Sequence, residues 1–362
     1  MAKMNFTHDV RALAGRFQLA GEFLQAEPFG RGHINDTYRV TTGHGLRTRY
    51  ILQRLNPAVF PNPAAVMANI QRVSAHLSRK IAGEPDAARR VLRLVPALDE
   101  SPYHRDAAGN WWRVYYYIER TRAVDVVETP AQAFAAAQAF GQFQKLLADL
   151  PAPRLQATIP DFHHTPKRWA ALERAVTADA ANRALKARAE IQFALQNQPL
   201  CRVLLDAHLP ERATHNDTKL NNVLLDDATG EGVCVIDLDT VMPGLALYDF
   251  GDMVRSMTNP APEAERDLAK VEMQFPVFEA LLRGYLAAAD FLTPAEMNLL
   301  PVAGQLITFE LGLRFLTDFL SGDIYFKVQR EGENLDRCRT QFKLFESIRR
   351  QEPAMSRLVA SF

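Results

Sequence analysis

Over its first 120 residues the chain sets apolar and polar positions in short runs broken by turn residues, the period-two signature of strands. Phe29-Gly30-Arg31-Gly32-His33-Ile34-Asn35-Asp36-Thr37-Tyr38-Arg39-Val40 reads as strand, glycine turn and strand. Tyr50-Ile51-Leu52-Gln53-Arg54-Leu55 follows a turn at Gly43 and Gly45, and Trp111-Trp112-Arg113-Val114-Tyr115-Tyr116-Tyr117-Ile118 is aromatic and β-branched, hence a further strand. Between them Val66, Ile70, Val73 and Leu77 recur at helical spacing. Beyond this the pattern changes. Thr129-Pro130 supplies an N-cap and a first-turn proline, and 131–150 is rich in helix formers. A proline-bearing break at 151–153 precedes Asp161-Phe162-His163-His164-Thr165-Pro166 and an alanine-rich helical run to about residue 198. Residues 214–240 return to strands, and the remainder is helical, with a capping box at Thr293-Pro294-Ala295-Glu296. The order predicts an α+β fold of two lobes. Residues 1–120 form an antiparallel sheet with one helix, and 121–362 a larger, mainly helical lobe with a short β insert; the switch falls near 119–125.

Composition narrows the classes. The 362 residues carry 42 Lys and Arg against 42 Asp and Glu. That balance offers no basic patch for nucleic acid or an anionic membrane. From residue 253 onward, 15 acidic and 13 basic residues are too balanced for a lobe built to bind a polycation. Three widely spaced cysteines, Cys201, Cys234 and Cys338, suit reduced thiols better than a disulfide framework or a zinc site. Residues 1–35 show no signal-peptide pattern, and no run approaches 18 uninterrupted apolar residues. The expectation is a soluble cytoplasmic protein with no nucleic-acid or membrane partner; oligomeric state is not legible.

The chemistry concentrates late in the chain. Thr214-His215-Asn216-Asp217-Thr218-Lys219-Leu220-Asn221-Asn222 is a polar loop. It leads into Val223-Leu224-Leu225, a glycine-bearing turn, and Val233-Cys234-Val235-Ile236-Asp237-Leu238-Asp239. A hairpin here returns Asp237 to the neighbourhood of Asp217, and strand alternation would set Asp237 and Asp239 on one face. Paired carboxylates beside an amide-rich loop suit Mg²⁺, which takes oxygen ligands. Phosphoryl transfer needs a carboxylate on the attacking hydroxyl, ligands for Mg²⁺ on the phosphates, and cations against the developing charge. Asp217 suits the first role, Asn222 and Asp237 the second, and Lys219 could reach the γ-phosphate.

The same segment resembles the protein-kinase-like superfamily, whose catalytic loop reads His-x-Asp-x-x-x-x-Asn. It looks most like the small-molecule branch, the aminoglycoside and choline phosphotransferases, in which the metal aspartate follows on an Ile-Asp strand. That resemblance assigns the metal to Asn222 and Asp237. Asp249-Phe250-Gly251-Asp252 looks like the protein-kinase metal motif but follows a Pro-Gly turn well downstream. Asp249 and Asp252 are read there as helix caps or braces of the loop, with Asp249 a second candidate for the metal. The resemblance further implies that the β-rich lobe cradles ATP. Gly30, Gly32, Asn35 and Thr37 would lie near the phosphates, and Tyr117 and Glu119 at a hinge against adenine. One position departs. Where the superfamily's third strand carries a lysine paired with a helix glutamate, this chain has Gln53, with Gln71 on the following helix as the nearest isostere. An amide pair of Gln53 and Gln71 is the expectation.

In wording the chain is similar to one subgroup, the N-acetylhexosamine 1-kinases. The likeness runs through Gly32-His33-Ile34-Asn35-Asp36-Thr37-Tyr38, the segment Thr214 to Asn222, Ile236-Asp237-Leu238-Asp239-Thr240-Val241-Met242-Pro243-Gly244, Leu313-Arg314-Phe315-Leu316 and Gly322-Asp323-Ile324-Tyr325-Phe326. It implies phosphorylation of the anomeric hydroxyl of N-acetylglucosamine or N-acetylgalactosamine, with His33, Arg314 and Tyr325 lining the sugar pocket beside Asp217. Glu310, Arg314 and Asp318, four residues apart, read either as a surface ion-pair ladder or as an arginine held by carboxylates for binding. A kinase of another small hydroxyl acceptor, of aminoglycoside, choline or homoserine type, stands as the alternative, and a non-catalytic nucleotide-binding regulator as a third.

Overall fold

Alternation along Tyr38, Val40, Tyr50, Leu52 and Val114 puts these side chains on one buried face of a sheet, and that face organises the N-terminal part of the protein. The structure, a computed structural model, describes residues 8–30 and 35–362. Gly32 and His33 lie outside the described residues. The described chain divides into two compact units.

The first unit takes the chain up to Arg120 and adds two distant segments, Leu155–Ile159 and Leu238–Thr240. Its strands are β1 (Glu22–Pro28), β2 (Asp36–His44), β3 (Leu46–Leu55), β4 (Leu94–Val95), β5 (His104–Arg105) and β6 (Trp111–Tyr116). They form an antiparallel sheet in the order β1-β2-β3-β6-β4, with β5 also on β6. β2 and β3 pair without a break from Asp36 opposite Arg54 to His44 opposite Leu46, and β3 sets Gln53 directly opposite Arg113 of β6. Gly45, at φ 91°, makes the tight turn between β2 and β3. Helices α1 (Val10–Ala14), α2 (Pro63–Lys80) and α3 (Ala87–Arg90) complete the unit. α2 is capped by Asn62, whose side chain accepts from Ala65 N, and buries Val66, Met67, Ile70, Val73 and Leu77, the positions read from the sequence together with Met67.

The second unit holds α4 (Pro130–Leu147), α5 (Thr165–Ala178), α6 (Arg188–Asn197), α7 (Val203–Asp206), α8 (Ala246–Met257), α9 (Phe275–Leu286), α10 (Pro294–Leu320) and α11 (Glu333–Val359). Five short strands accompany them: β7 (Thr121–Arg122), β8 (Glu211–Thr214), β9 (Val223–Asp226), β10 (Gly232–Val235) and β11 (Met242–Leu245). β9 and β10 are the expected hairpin, with β7 on the outer edge of β9; β8 and β11 form a separate pair. Thr129 and Thr293 both cap as their sequences indicate, each in a reciprocal capping box, with Gln132 and Glu296 respectively. α10 is long and apolar enough to cross a membrane by length and composition, yet 78% of its apolar stretch is buried within the protein. All three cysteines are free and buried.

Candidate active site

The loop after β8 is fixed from beneath by a carboxylate. Asp249, in the first turn of α8, is fully buried. Its Oδ2 accepts from His215 N (2.9 Å) and Gln144 Nε2 (2.6 Å), and its Oδ1 from Asn216 N (2.7 Å). Thr218 Oγ1 adds a bond to the Asp249 carbonyl (2.6 Å). Burial pushes the Asp249 carboxyl up, while His215 and these donors pull the other way. With both carboxylate oxygens so engaged, Asp249 braces the loop. His215 Nε2–H donates to Ile236 O (2.9 Å), so its Nδ1 is free to accept from Asp217 N (3.3 Å). Edge contacts with Phe140 and Phe143 hold the ring between helix α4 and the hairpin.

Asp217 emerges from this frame half-buried. Its Oδ1 pairs with Lys219 Nζ (2.8 Å), and its carbonyl and Oδ2 accept from Asn222 Nδ2 (2.8 and 3.2 Å). Burial favours the neutral acid, but Lys219, then His215 and Arg255, hold the carboxyl below its ordinary value. Lys219 is raised in turn, mainly by Asp217 and against burial. Arg255 is a buried cation that sequence reasoning missed. It forks onto Asp252 Oδ1 (2.8 and 2.6 Å), and Asp252 Oδ2 is buried without a hydrogen-bond partner.

Ile236 N donates to Asn222 O (2.9 Å), which ties the end of the returning strand to the loop and brings Asp237 alongside Asn222. Because the Asn222 amide spends its N–H₂ on Asp217, its Oδ1 is left as an acceptor with no hydrogen bond among the described residues. Among those residues no group of three or more His, Cys, Asp or Glu is placed to hold a metal. A cation here would rest on Asp237, Asn222 Oδ1 and oxygens from water or phosphate. That donor set suits Mg²⁺, which retains water and phosphate oxygens in such sites.

The expected pairing of Asp237 with Asp239 does not occur. β10 ends at Val235, Asp237 is left-handed at φ 58°, and Leu238–Thr240 is a 3₁₀ turn, so strand alternation does not extend to Asp239. Asp239 is instead buried in the first unit. Its Oδ1 takes an ion pair from Arg113 Nη1, its Oδ2 accepts from Asn35 Nδ2 (2.8 Å), and its carbonyl from Thr158 Oγ1 (3.0 Å).

The same network corrects the expectation for Gln53. Its Oε1 accepts from Arg113 Nε (3.1 Å) and Nη2 (2.9 Å), and its Nε2 donates to Thr37 Oγ1 (3.0 Å). Gln71 is exposed on the far side of α2, lining a small cleft of about 230 Å³ with Ser74, Arg93 and Ser101. The two amides do not pair. Gly30 takes the left-handed conformation, φ 80°. Tyr117 lies under the Arg49 guanidinium (4.4 Å), and Glu119 pairs with the same arginine while its carbonyl accepts from Arg89 Nε (3.2 Å).

Arg314 and Tyr325 come together, but neither reading of the Glu310–Arg314–Asp318 stripe holds. Glu310 and Asp318 are buried rather than on the surface, and neither pairs with Arg314. Glu310 Oε1 accepts from His163 Nδ1 (2.8 Å) and its Oε2 from Thr165 Oγ1 (2.6 Å). Asp318 accepts from the backbone N–H groups of Ile324, Tyr325 and Phe326, thereby setting the Tyr325 segment. Arg314 lies over three rings, Phe162 (5.4 Å), Tyr325 (5.9 Å) and Phe326 (5.4 Å). Arg168 stands nearby, donating to the Asp161 and Phe162 carbonyls, with its Nε buried and unbonded. Burial first, and Arg314 next, push Arg168 down. His163 Nε2 reaches Asn216 O (3.2 Å), connecting this arginine cluster to the loop of Asp217.

Comparison with known proteins gives a family and a set of similar folds. A family model described as the phosphotransferase enzyme family matches residues 25–298. Among solved structures, an aminoglycoside phosphotransferase from Alicyclobacillus acidocaldarius superposes with a TM-score of 0.62 at 15% identity, over 97% of this chain and 96% of that one. An amicoumacin kinase in complex with AMP-PNP, Ca²⁺ and Ami gives 0.60 at 17% identity, over 92% of each chain. A choline/ethanolamine kinase family protein from Mesorhizobium loti gives 0.55 at 19% identity, over 97% of each. At these identities the likeness is one of fold.

Proposed function

Because the chain belongs to the phosphotransferase enzyme family, we propose that it is an ATP- and Mg²⁺-dependent kinase of a small hydroxyl acceptor, and that the acceptor is the anomeric hydroxyl of an N-acetylhexosamine. The observation that carries the phosphotransfer chemistry is the Asp217–Asn222 contact, with Asn222 Oδ1 left open and Asp237 tied alongside through Ile236. Asp217 accepts the hydroxyl proton as the hydroxyl oxygen bonds to the γ-phosphorus of ATP and the bond to ADP breaks. Lys219, paired with Asp217 in this state, balances charge as the phosphoryl group passes. When bound, Mg²⁺ supplies charge neutralisation on the β- and γ-phosphate oxygens. Asp237 and Asn222 would hold it, while Gly30, Asn35, Thr37 and Gln53 would serve the nucleotide.

One feature supports a sugar hydroxyl over an amino alcohol. Arg168 and Arg314 form no ion pair with a carboxylate among the described residues, while the buried Glu310 acts on both through space. An ammonium group would be repelled there, whereas acetamido and hydroxyl oxygens can accept from guanidinium N–H groups. The test is a panel of N-acetylglucosamine, N-acetylgalactosamine, choline, ethanolamine, homoserine and an aminoglycoside, each with ATP and Mg²⁺, followed by ADP release and ³¹P NMR. A sugar 1-phosphate is expected, and Asp217→Asn should remove turnover. ADP release only with the amino acceptors would overturn the sugar assignment and leave the kinase reading standing.

A further inference from the structure

Asp237 holds a left-handed backbone, φ 58°, immediately after a strand, in a chain segment with no ladder of its own. A non-glycine residue keeps such a conformation when its neighbours are fixed on both sides. Before it, Ile236 is fixed twice, by its N–H to Asn222 O and by its carbonyl to His215 Nε2. After it, the fixed residue is Asp239, held at both carboxylate oxygens and at its carbonyl by Arg113, Asn35 and Thr158. Arg113 is the charged member of that clamp. It is 1% exposed, and the Asp239 side chain 2%. A fully buried ion pair is a poor device for stability alone, because apolar side chains of similar volume often serve as well or better. What the pair supplies instead is a fixed position. Gln53, directly across the ladder, accepts from two nitrogens of the same guanidinium, and Thr37 orients Gln53 in turn. The third-strand amide therefore holds an arginine on the neighbouring strand.

We infer that Arg113 is a positioning residue for the metal aspartate: by anchoring Asp239 it sets the backbone at Asp237 and so the geometry of the Mg²⁺ ligands. The inference rests on the kinase function proposed above. The first unit thus carries a buried cation on the strand paired with β3, and it acts on a carboxylate two residues from the proposed metal ligand.

The test separates position from stability. Arg113→Met alone leaves Asp239 charged and unpaired, and should lower Tm strongly. Arg113→Met with Asp239→Asn removes both charges and should recover most of that Tm. ADP binding is then measured by calorimetry with Mg²⁺ and with EDTA. In the wild type, Mg²⁺ should tighten ADP by about tenfold or more. In the double variant the Mg²⁺ enhancement, taken as the ratio of its own two ADP affinities, should fall to roughly threefold or less. Arg113→Lys keeps the charge but loses the two-nitrogen contact with Gln53. It should fold and give an intermediate enhancement, which keeps the test open even if the double variant does not fold. An unchanged Mg²⁺ enhancement in the double variant, or in Arg113→Lys, overturns the positioning role and leaves the kinase reading intact. Absence of Mg²⁺-dependent nucleotide binding in the wild type overturns both.

Discussion

At His163 both ring nitrogens face acceptors, Glu310 Oε1 and the Asn216 carbonyl, so the imidazolium is the form that satisfies the site. Burial opposes that charge, but Glu310, by charge and by hydrogen bond, leaves His163 raised above 6.5. Glu310 is likewise opposed by burial and lowered below 4.5, chiefly by His163. Asp252, Arg314, Arg168, Tyr248, Cys201 and Thr165 also face the pair. Since the folded pKa of His163 is raised, its contribution is complete below 6.5 and is lost as pH rises through the folded value. Since that of Glu310 is lowered, its contribution is complete above 4.5 and is lost as pH falls through the folded value. The pair therefore stabilises most between these two ordinary values. Tm measured against pH for the wild type and for His163→Gln/Glu310→Gln should differ most near about pH 5.5 and converge at more alkaline pH. A difference that grows steadily toward alkaline pH would contradict this. None of the pairing was visible in the sequence, because 147 positions separate the partners. Asp217 and Asn222 were legible for the opposite reason: five residues apart, they meet within one loop.

Helix ends were the most readable elements. Thr129 and Thr293 act through bonds three residues away, so the sequence carries the whole device. Strand ends were not. Nothing local shows that β10 stops at Val235 and that Asp239 turns to Arg113, 126 positions earlier. Helix α8 carries a related lesson. Asp249-Phe250-Gly251-Asp252 has the wording of a metal-binding loop, yet all four residues lie inside the helix and are buried. Gly251 is there for contact with α10. A Cβ at Gly251 would lie 2.8 Å from both the Ala303 carbonyl carbon and Ile307 Cγ1, and closer still to the Ala303 oxygen. The backbone of α10 cannot yield as a flexible side chain would. Gly251→Ala should therefore lower stability by about 1–3 kcal/mol in chemical denaturation, despite alanine's better helix propensity. Because α8 also carries Asp249, nucleotide turnover should fall in the same variant. A neutral or stabilising outcome would mean that the α8–α10 approach is looser than described.

For the whole molecule, the sequence read as two successive lobes predicts that residues 1–120 contain everything the first unit needs. The unit as described is not contiguous. It includes Leu155–Ile159 and Leu238–Thr240, which bring the buried leucines Leu155 and Leu238 together with buried polar contacts. Asn69, 1% exposed on α2, donates through Nδ2 to Gln156 O (2.8 Å) and accepts through Oδ1 from Gln156 N (3.0 Å). Arg113 is ion-paired with Asp239. A fragment ending at residue 120 would keep the sheet, α2 and the apolar cluster around Tyr50, Leu52 and Trp112. It would also lose the Asp239 carboxylate from a buried guanidinium and the Gln156 backbone bonds from a buried amide. Breaking a buried pair by removing one partner costs about 3–5 kcal/mol, and each unmet amide adds about 1–3 kcal/mol. Set against the 5–15 kcal/mol typical of a folded domain, that loss takes most of the margin of a unit this small. The isolated fragment should therefore lack a cooperative thermal transition, with near-ultraviolet circular dichroism flat or weak at a temperature where the full chain is native. Arg113→Met/Asn69→Leu in the same fragment removes both groups and should restore part of the transition. A fragment of native sequence that melts cooperatively would show that the two distant segments are accessories to a self-sufficient lobe.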